Sequence, residues 1–409
     1  MIVGKKLTAD RSRIQGGRIG GTGFSPNGVL PADFDFTNGG QPLTALPAIL
    51  TALSATYTRN SLKNVVQNGA LVALSANQFG TSYDSVAAQY GYVPEPAATN
   101  LATNSDGNAA TYTVSNVADG TAVTGFTNGI AFGNNSVQRS ATKATSVTSG
   151  TVYSVSVFVI MDDGNAPVVG TTNILGDFSI TLNGVIATTK LERVIGSNVY
   201  RVSASITASA TASHPAGITK YTGQSARTFR TTGTQVETGL RATSYIITTA
   251  ATATRSADVL TVPLANITGF NNTGYTLFVD QRMDTVLAGS VIALEVHDGT
   301  SANRAYVGQA GGATPTANAT SGGVAQSSLT GATFGLSRGK FAGSFSANNM
   351  LMARGGVTVT PDSVAVMPVS PTTVSFCIYA GSLPLNGYIF RAQLIPATLT
   401  QAQLNGLTT

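Results

Sequence analysis

"VYSVSVFVIMDDG", Val152 to Gly164, decides how this chain is read. Tyr153, Val155, Val157 and Val159 recur every second residue, which places them on one face of a strand and fits no helical period. The run closes on Asp-Asp-Gly-Asn, ordinary turn chemistry. Its apolar part is too short, and too interrupted by serine, to cross a bilayer. The same grammar continues outward in "FSITLNG" (178–184), "VIATTKLERVI" (185–195) and "VYRVSASITAS" (199–209), separated by the turns "LNGV" and "IGSN". Short alternating runs with regular turn signals predict an antiparallel sandwich over residues 97–250. From about Ala257 the pattern restarts in "YTLFVDQRM", "SVIALEVHDGT", "RAYVGQ", "TVSFCIYAG" and "GYIFRAQLI". The expected fold is therefore all-β: two antiparallel β-sandwiches in series, the second spanning 251–409, behind an N-terminal arm with a short helix.

Three smaller elements complete the outline. In "PLTALPAILTALSA", Leu43, Leu46, Ile49, Leu50 and Leu53 fall at helical spacing, and Pro47 suits a first turn; this closes an arm over 1–53. A hairpin and connector follow over 54–96, with Asn68-Gly69 supplying the positive backbone angles of a two-residue turn. At the far end "ATLTQAQLNGL" reads as a helix, with Thr400 as N-cap and Leu404 and Leu407 facing inward. Between the sandwiches "RATSYIITT" reads as an extended linker pinned along a sheet edge, its Thr and Ser satisfying polar groups locally.

Charge is unevenly distributed. Lys5, Lys6, Arg11, Arg13 and Arg18 against Asp10 place four of the five net positive charges in the first thirty-two residues, so the body is nearly neutral. By charge alone, such an arm docks on an acidic protein socket or on nucleic acid, or is a solvated tail. One cysteine, Cys377, excludes an intrachain disulfide framework, and two histidines leave little for a zinc site. The N-terminus lacks a signal-peptide pattern, so synthesis in a cytoplasm and no membrane insertion are expected.

Chemistry was sought in the usual constellations. No G-x-S-x-G elbow occurs, and His214 in "TASHPAG" and His297 before "DGTS" read as loop residues. "GGRIGGTG" precedes no β-α unit, so it cradles no phosphate. Asp162, Asp163 and Asn165 offer oxygen ligands for calcium but match no calcium loop, and the turn reading is preferred. Glycoside hydrolysis needs two carboxylates at a set separation; no motif pairs any of the four glutamates, although distant strands can assemble such a pair. No catalytic residue, metal or cofactor is expected. Sugar platforms are usually aromatic, and without tryptophan the candidates in the second sandwich are Tyr275, Tyr306, Tyr379 and Tyr388. Half-buried packing is the competing reading for each.

Spaced motifs give a more specific pointer. "ATYTR" (55–59), Asn68-Gly69, "EPAATNL" (95–101), "GTQVETG" (233–239), "ATSYI" (242–246) and "TRSAD" (254–258) occur in that order. In this the chain resembles phage and gene-transfer-agent surface proteins, the head spike or tail fibre family. "LNGYIFRAQLIPATLTQAQLNGLT" resembles the closing strand and helix of concanavalin A-like sandwiches that often end such proteins. The resemblance implies a jelly-roll first module, a homo-oligomeric virion appendage made in a bacterial cytoplasm, and binding of host cell-surface polysaccharide. It implies partners in a capsid, vertex or tail protein through the arm, and in a second spike protein, and no nucleic acid. A purely structural adaptor and a capsule depolymerase are the alternatives.

Overall fold

The computed structural model describes residues 32–409 apart from 188, 196–197, 287–288, 312, 378–382 and 386. It is built almost wholly of antiparallel sheets stacked as two sandwiches.

In the first, a six-stranded sheet runs Thr189–Ile195, Val199–Thr207, Val152–Met161, Phe229–Thr238, Ile130–Phe132, Ala118–Asp119. It faces a five-stranded sheet in the order Val185–Ile186, Ser179–Leu182, Ala212–Lys220, Arg139–Val147, Thr113–Ser115. Tyr153, Val155, Val157 and Val159 point into the core between them, beside Phe178, Ile180, Ile218 and Phe229. The other face of that strand is also buried, because Phe158 packs against Phe126 and Tyr245, with ring centroids 4.5 and 5.1 Å away. His214 and Pro215 lie within the strand Ala212–Lys220 and not in a loop. His297 likewise ends the strand Val291–His297.

The second sandwich sets a six-stranded sheet (Ala32–Asp35, Gly387–Ile395, Gly274–Met283, Gly339–Ser346, Met350–Arg354, Val357–Asp362) against an eight-stranded one. The latter runs Thr56–Thr58, Val259–Pro263, Thr373–Phe376, Val291–His297, Arg304–Ala310, Thr314–Ser321, Val324–Thr330, with Leu383–Pro384 alongside Val291–Ile292. The segment read as arm and connector thus contributes an edge strand to each sheet of the C-terminal sandwich. Phe34 and Phe36 are fully buried there, and both rings meet Phe376 edge-on. Basic residues Lys5, Lys6, Arg11, Arg13 and Arg18 lie outside the described residues.

Local expectations fare well. The helix is Ala48–Ala52, with Leu50 buried and Leu43, Leu46, Ile49 and Leu53 packed on the core of the second sandwich. Lys63–Gln67 and Ala70–Leu74 form the hairpin, Asn68 and Gly69 standing at φ 51° and 70°. Thr400 caps the helix Gln401–Thr408 in a reciprocal box with Gln403, and Leu404 is buried. None of the described helices is long and apolar enough to cross a membrane.

Candidate functional site

Apart from the hairpin turn Asn68-Gly69, the motifs contribute residues to one place, the joint between the sandwiches. Asp258 is its centre, fully buried. Tyr57 donates to its Oδ1 at 2.6 Å, Lys63 Nζ reaches its Oδ2 at 2.5 Å, and Arg59 and Arg255 stand at 3.4 and 3.8 Å. Lys63 also pairs with Glu95 at 3.2 Å and donates to the Val93 carbonyl. Burial by itself would raise the Glu95 carboxyl, but the Lys63 and Arg255 charges overcome it and hold that carboxyl well below its usual range. Three buried cations, Arg59, Lys63 and Arg255, thus share two buried carboxylates, Asp258 and Glu95, and such pairing is the condition under which buried ions are tolerated.

"RATSYIITT" is tied down by long-range bonds. The Ser244 N–H donates to Glu95 Oε1 at 2.6 Å, and Thr243 donates to both Glu237 oxygens. The Ile246 N–H donates to Gln235 Oε1 at 2.7 Å, and Tyr245 exchanges a hydrogen bond with Ser105 at 2.8 Å. Asn100 accepts from the Val236 N–H and donates to the Ile246 carbonyl. The expectation of local satisfaction holds only in part: Glu237 and Gln235 are six and eleven residues from their donors, whereas Glu95, Ser105 and Asn100 are over a hundred residues away. Gly233 is required by its φ of 65° and by Phe158, which an added Cβ would meet at 2.6 Å. A water-sized cavity of about 60 Å³, bordered by Lys63, Asn64, Glu95, Arg201, Arg241 and Tyr245, adjoins this network. The motifs are thus the hardware of a rigid joint.

Two of the four candidate tyrosines are packing residues. Tyr275 is fully buried, stacked on Phe345 at 5.5 Å and against Phe270. Tyr388 is buried, parallel to Phe390 and under the Arg282 guanidinium. Neither can serve as a sugar platform in this fold. Tyr379 lies outside the described residues. The calcium candidates are engaged otherwise: Asp163 pairs with Arg227 at 2.7 Å, Asp162 with Arg230 at 3.2 Å, and Asn165 donates its N–H back to Asp163. Among the described residues no group of three or more metal-ligating side chains gathers.

Tyr306 is placed differently. Val296, Ala305, Val307, Ala317 and Ala319 face the core of the second sandwich, so the intervening Glu295, Arg304, Tyr306 and Asn318 lie on the outer face of the eight-stranded sheet. Glu295 is opposite Tyr306 on one side and Ser375 on the other. Arg304 bridges the group: its Nη1 is 3.3 Å from Glu295 Oε1 and its guanidinium sits 5.2 Å from the Tyr306 ring centre. The Tyr306 ring is only 9% exposed, with Arg304 over it. Burial pushes the Glu295 carboxyl up to about 7 despite Arg304 beside it, and Glu295 Oε2 makes no hydrogen bond among the described residues. Burial also pushes His297 down to about 4, keeping it neutral. Sequence reasoning found Tyr306 by residue type and missed Arg304 and Glu295; "LEVH" facing "RAY" across a hairpin was the available signal.

The chain matches no family model and no curated protein. Partial likenesses to solved structures include a Ruminococcus gnavus IT-sialidase CBM40 bound to α2,3-sialyllactose (13% identity, 34% of this chain and 83% of that one, TM-score 0.30). Others are the NanB sialidase of Streptococcus pneumoniae (9%, 36% and 26%, 0.30) and a structure described as showing that cell entry of botulinum neurotoxin type C depends on two ganglioside molecules (9%, 37% and 39%, 0.31). At these scores the likenesses carry no weight for the fold or the ligand of this chain.

Proposed function

We propose that the chain is a virion surface attachment protein, a head spike or tail fibre component. In this reading the basic arm anchors it to a capsid, vertex or tail protein, and the outer sandwich holds host cell-surface polysaccharide without turnover. One observation carries the reading: Tyr57, Arg59, Glu95, Arg255 and Asp258, from three of the motifs on which the resemblance to phage and gene-transfer-agent appendages rests, gather with Lys63 in one buried joint. Two sandwiches fixed by such a joint present a surface at a set orientation. Weak sugar contacts then gain strength from several copies on one particle, through effective concentration.

Binding without turnover is favoured over hydrolysis because the strands of the eight-stranded sheet bring one carboxylate to their outer face, Glu295, whereas hydrolysis uses two. Immunogold labelling of purified particles tests the assignment. Label at the head vertices or the tail supports it; particles free of the protein sink it.

A further inference from the structure

We infer that the outer face of the eight-stranded sheet takes the carboxylate of an acidic saccharide at Arg304, a step that rests on the attachment reading above. The strands of that sheet carry one carboxylate, Glu295, one histidine, His297, and one cation, Arg304. Glu295 is fully buried and His297 is 2% exposed, whereas the Arg304 side chain is 21% exposed. Arg304 is therefore the one charge these strands turn to solvent, and it is positive.

Around it the face is made of hydroxyls and amides. Thr320 is opposite Arg304, Asn318 opposite Tyr306, and Thr373 opposite His297, all partly exposed. Short polar side chains of this kind serve sugar hydroxyls. A planar guanidinium fits a carboxylate with two parallel hydrogen bonds. A face whose strands carry a single cation matches a monoanion better than a phosphate dianion, so the ligand class is a uronic or ulosonic acid within a glycan.

Glu295 sets the strength of that charge. When ionised it offsets Arg304, 3.3 Å away; when protonated it leaves the guanidinium charge whole. Since burial pushes Glu295 up to about 7, the face becomes more cationic as pH falls from 8 to 6, while a sugar carboxylate stays ionised. Among the described residues, the groups facing Glu295 are Arg304 and Tyr306 from one neighbouring strand and Ser375 from the other. His297, on its own strand, stays neutral down to about pH 4, and Asp298, lowered further by its hydrogen bonds to Thr300 and Asn303, stays ionised throughout. Over pH 6–8 the change in charge here is that of Glu295.

The test is an array of oligogalacturonate, hyaluronan and polysialic acid, each beside its carboxyl-reduced form, probed with the full chain at fixed ionic strength. Expected are capture of at least one acidic glycan, at least tenfold weaker capture of its reduced form, and tighter capture at pH 6 than at pH 8. Arg304→Gln should cost tenfold or more, Arg304→Lys should retain part of the binding, and Glu295→Gln should flatten the pH dependence. Unchanged melting of the variants, followed by circular dichroism, shows that they remain folded. Lys5→Gln with Lys6→Gln should leave capture intact; its loss there places the binding in the arm and overturns the inference. Equal capture of acidic and reduced forms overturns it too but leaves polysaccharide attachment standing. Silence across the array overturns both.

Discussion

Glu295 and His297, two residues apart on one strand, are perturbed by the same burial and pull stability in opposite directions. A carboxyl raised from 4.5 to about 7 binds its proton more tightly folded than unfolded, so its contribution falls as pH rises from about 4.5 to 7. A histidine lowered from 6.5 to about 4 binds its proton less tightly folded, so its contribution grows as pH rises from about 4 to 6.5. In the parent chain the two slopes largely cancel between pH 4.5 and 6.5. Glu295→Gln removes one of them. Urea unfolding should therefore show this variant gaining on the parent as pH rises from 5 to 8, by on the order of 2–3 kcal/mol in total. A difference that stays constant with pH would mean that Glu295 does not titrate in that range. At this scale the sequence was only partly legible. Tyr275, Tyr306 and Tyr388 all sit in alternating strands, and alternation tells which residues share a face but not what covers it. Tyr275 lies opposite Phe345 and Tyr388 opposite Arg282, each on a neighbouring strand whose pairing is set by tertiary contacts.

Among elements, local chemistry was readable and long-range pairing was not. Asn68-Gly69 and Thr400 with Gln403 announce a hairpin and a helix start because the whole interaction lies within a few residues. Ala32–Asp35 gives no sign that it pairs with 391–394, some 360 residues on, nor Thr56–Thr58 that it pairs with 259–261. The motif residues were recognisable as a signature, yet their physical role needed coordinates: Tyr57, Arg59, Lys63, Glu95, Arg255 and Asp258 meet only when three stretches, 57–63, 95 and 255–258, fold together. Asp258→Asn tests that role. It strips the charge that Arg59, Lys63 and Arg255 share, leaving Glu95 to offset them, and should cost about 3–5 kcal/mol in urea unfolding. A loss under 1 kcal/mol would show that the joint does not depend on this carboxylate.

For the whole molecule, the division between arm and body falls earlier than the expected arm over 1–53 allows. Phe34 and Phe36 are core residues, so the body already includes the strand Ala32–Asp35. Removing residues 1–30 should leave a folded body with unchanged melting that no longer joins particles. Removing residues 1–37 also empties two phenylalanine sites, each worth about 3–5 kcal/mol, and should leave an aggregating or unfolded product. If the shorter deletion still assembles into particles, the arm is not the anchor. On the proposed reading, the two sheet modules hold a polysaccharide without cutting it. Incubating the full chain with a glycan it captures, then measuring retained polymer and new reducing ends together, addresses this most directly. Retention with reducing ends at the level of the protein-free control is the predicted result, and a steady release of reducing ends would contradict it.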